Sequence, residues 1–489
     1  MRHVLAIDQG TTGSTCLVVR RDGTIAGRAY REITQHYPQP GWVEHDAEEI
    51  LERTRDAARE AIARAGVVPD AIGITNQRET IVVWSRVTGR PVARAIVWQD
   101  RRTSERCAQL APHASDIARR TGLVIDPYFS ASKLEWLLRD PDIARRAANG
   151  ELLAGTIDTW LIWSLTGGAV HATDPTNASR TMLYDLDARG WSDEQCAMFG
   201  VPRQMLPEVR PSAGAFGVTQ QAQLGTAIPI MGVAGDQQAA LYGQGCWRAG
   251  EGKNTYGTGA FLLFNAGATR PAGGGGLLTT IACDAAGRPA YALEAAIFIA
   301  GAAVQWLRDG LQIIERAADS EALARSLASN DGVYFVPALV GLGAPHWSPE
   351  ARGTIVGLTR GTTRAHLVRA ALEAMAYGTA DVVDTVRAQG VTLDTLRVDG
   401  GATANDWLMQ FQADVLQVAV ERPAMIETTA LGAAGLAGIA AEVWQTPDEF
   451  LASRRFTRFA PAAGSDQVAA AYAGWQRAVR ATLAWANDR

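Results

Sequence analysis

Three short segments, far apart in the chain, share one design: an apolar, strand-like run that ends in Asp and then turns. They are Asp8-Gln9-Gly10-Thr11-Thr12-Gly13 after Val4-Leu5-Ala6-Ile7, Asp399-Gly400-Gly401-Ala402-Thr403 after Thr395-Leu396-Arg397-Val398, and Asp236-Gln237-Gln238 after Ile228 to Gly235. The Gly-Thr turns of the first two offer successive backbone N–H groups to phosphate oxygens, add Thr hydroxyls as donors, and place a carboxylate for a magnesium ion. Asp236, where a strand meets a helix, is suited to accept the proton of an attacking hydroxyl while Asp8 holds the metal beside it. An ordinary Asp-Gly turn explains either of the first two alone, and helix capping would explain Asp236. Three such turns in one chain favour phosphate chemistry. The Thr255-Tyr256-Gly257-Thr258-Gly259 turn is suited to line a nucleotide. Gly252-Lys253 does not complete a Walker A loop, because Trp247 stands at the required glycine and Asn254 at the Ser/Thr position.

These turns need strands to hold them. Val4 to Ile7, Thr15 to Val19 and the run after Arg21-Asp22-Gly23 predict consecutive hairpin strands. From Asp46 the apolar positions Ala47, Ile50, Leu51, Ala57, Ala58, Ala61, Ile62 and Ala65 predict an amphipathic helix, with Asp46 and Glu49 at capping-box spacing. Strand-like runs at Ala71–Thr75, Ile81–Trp84 and Ala95–Trp98 extend the first half into a sheet covered by helices, and the second half repeats this logic. A chain of 489 residues exceeds the size at which one core keeps growing, so two domains are expected: 1–249 and 250–489, divided at the Arg248–Gly252 link.

The bulk properties exclude several classes. Net charge is −5, and 46 basic residues are interspersed with 51 acidic ones, which gives no footprint for nucleic acid. The apolar stretch Ala430–Ala441 is too short to span a bilayer and reads as a packed, buried helix. The N-terminus enters Val4–Ile7 directly, so no signal peptide and a cytoplasmic location are expected. Cys16, Cys107, Cys196, Cys246 and Cys283 form no Cys-x-x-Cys pair and predict buried thiols rather than disulfides or zinc. Lysine occurs only at Lys133 and Lys253, a skew that reads as codon bias.

Together with Thr75-Asn76-Gln77-Arg78-Glu79, Trp98-Gln99-Asp100-Arg101-Arg102, Asp126-Pro127-Tyr128-Phe129-Ser130 and Gly341-Leu342-Gly343-Ala344-Pro345-His346-Trp347, the turns closely resemble the glycerol-phosphorylating members of the FGGY carbohydrate kinase family along nearly the whole chain. The resemblance implies an α/β fold of two ribonuclease-H-like domains, of the actin and hexokinase type, with a catalytic cleft between them. It implies ATP and Mg2+ as cofactors, glycerol as substrate, sn-glycerol 3-phosphate as product, and a homodimer or homotetramer. Carried over by position, it makes Arg78, Glu79, Tyr128, Asp236 and Gln237 ligands of the glycerol hydroxyls, with Trp98 and Phe261 against its C–H edge and Thr11 nearby. It places Thr11, Thr12 and Gly13 at the phosphates, Thr258, Gly301, Gln305, Gly401 and Asn405 at ADP, and Asp8 and Asp236 at the metal, with Asp236 also the general base. Charged Arg–Glu groups suit one edge of a triol, and aromatic rings suit the other. Thr15 stands where members commonly carry Arg, and Gly13 where many carry Ser. The alternatives are a sister kinase for another small polyol or sugar, which the Arg78–Glu79 pair disfavours, and a non-catalytic actin-like ATP-binding module.

One further departure concerns regulation. Some bacterial members bind fructose 1,6-bisphosphate through a glycine-rich loop ending in Gly-Thr-Arg, whereas this chain has Gly225-Thr226-Ala227 before Ile228-Pro229-Ile230, and no His from Pro211 to Ile230 for phosphorylation. A bisphosphate there lacks its guanidinium partner. Initial rates at several enzyme concentrations are expected to be unchanged by fructose 1,6-bisphosphate; saturable inhibition would contradict this.

Overall fold

Val4, Leu5, Ala6 and Ile7 are fully buried, which is possible only for a strand covered on both faces. In the computed structural model, which describes residues 2–425 and 427–488, this run is the centre of a five-stranded sheet. Strands His3–Gln9, Gly13–Arg20 and Ile25–Glu32 form an antiparallel meander joined by short turns. On the other side of the first strand, Ala71–Asn76 and then Ile230–Gly235 add in parallel. A parallel addition needs a long crossover, and helix Ala47–Ala65 supplies it. Asp46 caps this helix by accepting from the N–H groups of Glu48 and Glu49, and Gly66, at φ 66°, ends it. Glu49 does not complete the expected capping box. Its carboxylate is taken by Thr34, through the backbone N–H at 3.2 Å and the hydroxyl at 3.1 Å.

The first half holds more than the single sheet expected. Ile81–Ser85 and Ala95–Ile96 leave the main sheet and pair with Glu44–His45 and Leu152–Thr156 in a separate four-stranded sheet. The alternating apolar runs identify strands but say nothing about which sheet receives them.

The second half repeats the first plan. Glu251–Tyr256, Ala260–Gly267 and Pro289–Ile297 lie side by side and antiparallel, the last reached only after the edge strand Leu278–Cys283, and Thr395–Gly400 and Ala419–Pro423 add in parallel after the crossover helix Arg364–Ala388. Leu278–Cys283 and Phe456–Phe459 extend the two edges, making seven strands. In both sheets the acidic turns lie at the carboxyl ends of the parallel region, the usual place for ligands in α/β sheets.

Helix Thr428–Ala440 joins the halves. Although late in the chain, it packs on strands His3–Gln9, Ala71–Asn76 and Ile230–Gly235 of the first sheet and on helix Asp236–Gly243. Its run of Ala and Gly permits this: a Cβ on Gly432 would stand 1.7 Å from the Ala239 carbonyl oxygen, and one on Gly73 would stand 2.0 Å from that of Ala433. The expected buried helix is therefore present, with backbone-to-backbone contact as the reason for its composition. All five cysteines are free and buried. Among the described residues no helix is long and apolar enough to cross a membrane.

Gly432→Ala is expected to destabilise the protein by at least the roughly 1–3 kcal/mol typical of overpacking, since the obstacle is backbone. Gly464→Ala, with no atom within 4 Å of its added Cβ, should lie within about 0.5 kcal/mol of wild type in the same urea titration.

Candidate active site

One residue, Gln77, separates the Arg78–Glu79 pair from the end of strand Ala71–Asn76, and Glu79 adopts φ 61°. A non-glycine residue in this left-handed region is uncommon and is often found at functional sites. The turn brings the Arg78 Nε within 3.3 Å of Asp236 Oδ1 and 3.7 Å of Glu79 Oε1, and its Nη2 donates to the Tyr128 hydroxyl at 3.4 Å. Asp236 is the first residue of helix Asp236–Gly243, whose N-cap is Gly235, so it does not serve as the cap. Its Oδ1 accepts the Gln237 N–H at 2.7 Å, and its side chain remains 32% exposed toward the cleft. Burial raises its pKa against the opposing pull of Arg78.

Trp98 forms a wall beside this polar edge. Its ring meets Tyr128 edge-on at 5.6 Å, and its Nε1 donates to Thr11 Oγ1 at 2.9 Å, which ties the wall to the first acidic turn. Gln237 accepts from Lys253, which also donates to Thr255 Oγ1 at 2.8 Å. Phe261 lies on the second sheet opposite Thr255, 37% exposed, and makes no ring contact with Trp98 or Tyr128 among the described residues.

Asp8 sits at the end of its strand, in register with Thr75 and Thr15. Burial, and next the charge of Asp236, push its carboxyl up to about 7. A divalent cation between the two carboxylates would relieve that repulsion. No group of three His, Cys, Asp or Glu side chains converges among the described residues, and magnesium requires none, since it takes one or two carboxylates with substrate phosphates and water. The donor set therefore fits Mg2+.

Across the cleft, Thr258, Gly301, Gln305, Gly401 and Asn405 line one cavity of about 520 Å³, with Leu372 and Met375 as its apolar floor. This is the size and mixed character of a nucleotide pocket. A second cavity, of about 630 Å³, runs from Gln237 and Thr255 past Asp399 to Thr403. Thr11, Thr12 and Gly13 line neither cavity; of the three, Thr11 is tied to the site through Trp98.

The N-terminal-domain profile of the FGGY family of carbohydrate kinases matches residues 3–243, and its C-terminal-domain profile matches residues 252–441. The chain belongs to the FGGY family of carbohydrate kinases. It is 54% identical to a glycerol kinase of Bordetella parapertussis over 99% of this chain and 98% of that one. It is also 54% identical to a glycerol kinase of Halorhodospira halophila over 100% of this chain and 98% of that one. A crystal structure of Plasmodium falciparum glycerol kinase with ADP superposes with a TM-score of 0.95 at 36% identity, covering 99% of this chain and 98% of that one. Xylulose kinase from Rhodospirillum rubrum, at 24% identity and a TM-score of 0.90 over 99% of this chain and 100% of that one, shows the fold alone.

Within this FGGY kinase, sequence reasoning does not find Arg180, Glu294 or Lys253. Arg180 and Glu294 join Arg78 and Glu79 in a buried charge cluster, with the Arg78 Nη1 at 2.6 Å from Glu294 Oε2 and the Arg180 Nε at 2.6 Å from Glu79 Oε1. One signal points to it: Glu294 is the single charge in the run Tyr291–Ile297, and a lone charge in a buried strand must be paired. Lys253 reads as part of a failed Walker motif, yet it and Lys133, the only lysines, are both fully buried and hydrogen-bonded.

The Gly13 departure has a packing cause. A Cβ at Gly13 would lie 2.4 Å from the Arg31 carbonyl oxygen and 2.6 Å from the Tyr30 hydroxyl, which itself donates to the Thr12 carbonyl at 3.3 Å. Gly13→Ser is expected to cost about 1–3 kcal/mol in urea unfolding. Adding Tyr30→Ala should recover only part of this, because the Arg31 carbonyl stays in place; full recovery would contradict the account.

Proposed function

We propose that this kinase transfers the γ-phosphoryl group of ATP to a terminal hydroxyl of glycerol, giving ADP and sn-glycerol 3-phosphate. The observation that carries the reading is the Arg78–Tyr128–Asp236 edge facing the Trp98 wall, beside Asp8 and opposite the 520 Å³ cavity. A three-carbon triol has hydroxyls for one side and C–H groups for the other. The activity named for relatives 54% identical over the full chain supports the same choice.

In this reading Arg78, Glu79, Tyr128 and Gln237 hold the hydroxyls, and Trp98 and Phe261 cover the carbon edge. Thr11, Thr12 and Gly13 cradle the phosphates, while Thr258, Gly301, Gln305, Gly401 and Asn405 hold the nucleotide. Asp8 and Asp236 would hold Mg2+, which when bound neutralises charge on the phosphate oxygens. Asp236 takes the proton from the attacking hydroxyl: burial makes its carboxylate more basic, and Arg78 and the Gln237 N–H fix its direction. Alignment outweighs the base, since positioning contributes on the order of 7–11 kcal/mol and a general base about 10²–10⁴-fold. Residues 1–249 and 250–489 are the two domains whose sheets close over the reactants, with helix Thr428–Ala440 of the second carried on the first sheet, and a cytoplasmic homodimer or homotetramer is the assembly the family resemblance supports.

Incubation with MgATP and glycerol should yield one phosphorylated product, fully oxidised by a dehydrogenase specific for sn-glycerol 3-phosphate; a product resistant to it would refute the assignment. Asp236→Asn should retain glycerol and ATP binding by calorimetry while turnover falls about 10²–10⁴-fold. Unchanged turnover would remove Asp236 as the base.

A further inference from the structure

Arg78 has five N–H donors, and its surroundings use them unequally. Glu294 takes the fork from two sides, at 2.6 Å from Nη1 and 3.0 Å from Nη2, and Gln238 Oε1 accepts from Nη1 at 3.2 Å. What faces the cleft is the Nε, 3.3 Å from Asp236, and the Nη2 proton in a long 3.4 Å contact with Tyr128. Substrate hydroxyls can compete for those two positions and not for the others. Glu294 thus decides which edge of Arg78 is offered to the cleft.

Glu294 belongs to the opposite half of the molecule. It stands on strand Pro289–Ile297 of the second sheet, whereas Arg78 and Arg180 come from the first half. That sheet edge is tied to the first half nearby: Ser179 Oγ lies 3.0 Å from Thr280 Oγ1, Gln238 Nε2 donates to the Ile281 carbonyl at 3.1 Å, and the Tyr291 hydroxyl donates to the Leu186 carbonyl at 3.1 Å. Arg180 completes the cluster, donating to Glu294 Oε1 at 3.1 Å and to Glu79 Oε1 at 2.6 Å. Two guanidinium and two carboxylate groups, none with more than 6% of its side chain exposed, balance in charge. Removing one would leave a buried, uncompensated ion.

We propose that Glu294 and Arg180 are positioning residues for polyol binding: Glu294, carried by the second sheet, fixes the Arg78 guanidinium, and Arg180 fixes Glu79, so the substrate edge is complete only when the two halves are docked along strands Leu278–Cys283 and Pro289–Ile297. This rests on the reading of the cleft as a polyol-kinase site.

The test is the steady-state kinetics of Glu294→Gln, a change that keeps side-chain volume and removes the charge. The Michaelis constant for glycerol is expected to rise about 10–150-fold, the range of a lost charge-assisted hydrogen bond, while that for ATP stays within about twofold. Glu294→Asp should recover part of the loss, because the carboxylate is retained. A folded Glu294→Gln enzyme with both constants near wild type, or with both raised alike, overturns the proposal. Where Glu294→Gln fails to fold, Arg180→Lys answers the same question: it keeps the charge and loses the fork, and the same selective rise is expected. Wild-type turnover of glycerol is measured first, so a failure of the functional reading appears there; if another polyol is the substrate, the ratio is taken with that polyol.

Discussion

Four ionised side chains can share a dry pocket only if their charges cancel and their hydrogen bonds close on one another. Arg78, Glu79, Arg180 and Glu294 cancel in formal charge and bond to one another, with Arg180 Nη1 alone among their fully buried nitrogens and oxygens left without a hydrogen-bond partner among the described residues. Burial alone would raise the pKa of Glu294, but the Arg180 and Arg78 guanidinium groups hold it down to about 2, so it stays ionised, whereas at Glu79 burial outweighs the same two guanidinium groups and raises the pKa. The remainder of the cleft is arranged around this set: Tyr128 and Phe129 place their rings 5.6 and 5.1 Å from Arg180, Trp98 packs on Tyr128, and Asp236 takes its orientation from Arg78. The expense of hiding the cluster is met by enclosing it where the two sheets touch, which makes the substrate edge a product of both halves.

In the proposed reading, the duplicated sheet plan explains how a phosphate site arises opposite a polyol site. Each half ends its parallel strands in a turn, and the turns meet at one cavity: Gln237, next to Asp236, from one side and Asp399 to Gly401 from the other. Helix Thr428–Ala440 seats on the first sheet and on helix Asp236–Gly243 at close range, because its glycines and alanines allow main chain to touch main chain where a larger residue would hold the helix off them.

Much of this is legible in the sequence, and the limits are physical. The hairpin strands, the crossover helix from Asp46 and the small-residue helix near the C-terminus announce themselves through local periodicity and turn residues. The acidic turns do so through their Asp-Gly-Thr composition. Partner choice is not local. Ile81–Ser85 reads as a strand of the main sheet until its pairing with Leu152–Thr156 is known, and Glu49 reads as half a capping box until Thr34 takes its carboxylate. Glu294 and Arg78 lie 216 positions apart; no spacing rule connects them, although a lone charge in an apolar strand announces that some partner exists. The two lysines carry the same lesson: a skew that reads as codon usage leaves lysine only where it is buried and hydrogen-bonded.

Selectivity among acceptors is the most direct test of the claim that a neutral, buried Arg–Glu cluster presents an edge matched to a triol. ADP release under saturating MgATP, measured as kcat/KM for glycerol, D-xylulose and gluconate against a reaction with water alone, compares the candidates in one assay. D-Xylulose and gluconate also carry adjacent hydroxyls, so the discrimination comes from the Trp98 wall, against which their longer chains must fit, and glycerol should be favoured by about 100-fold. Equal values across the acceptors, a preference for a sugar, or ADP release indifferent to glycerol would contradict it.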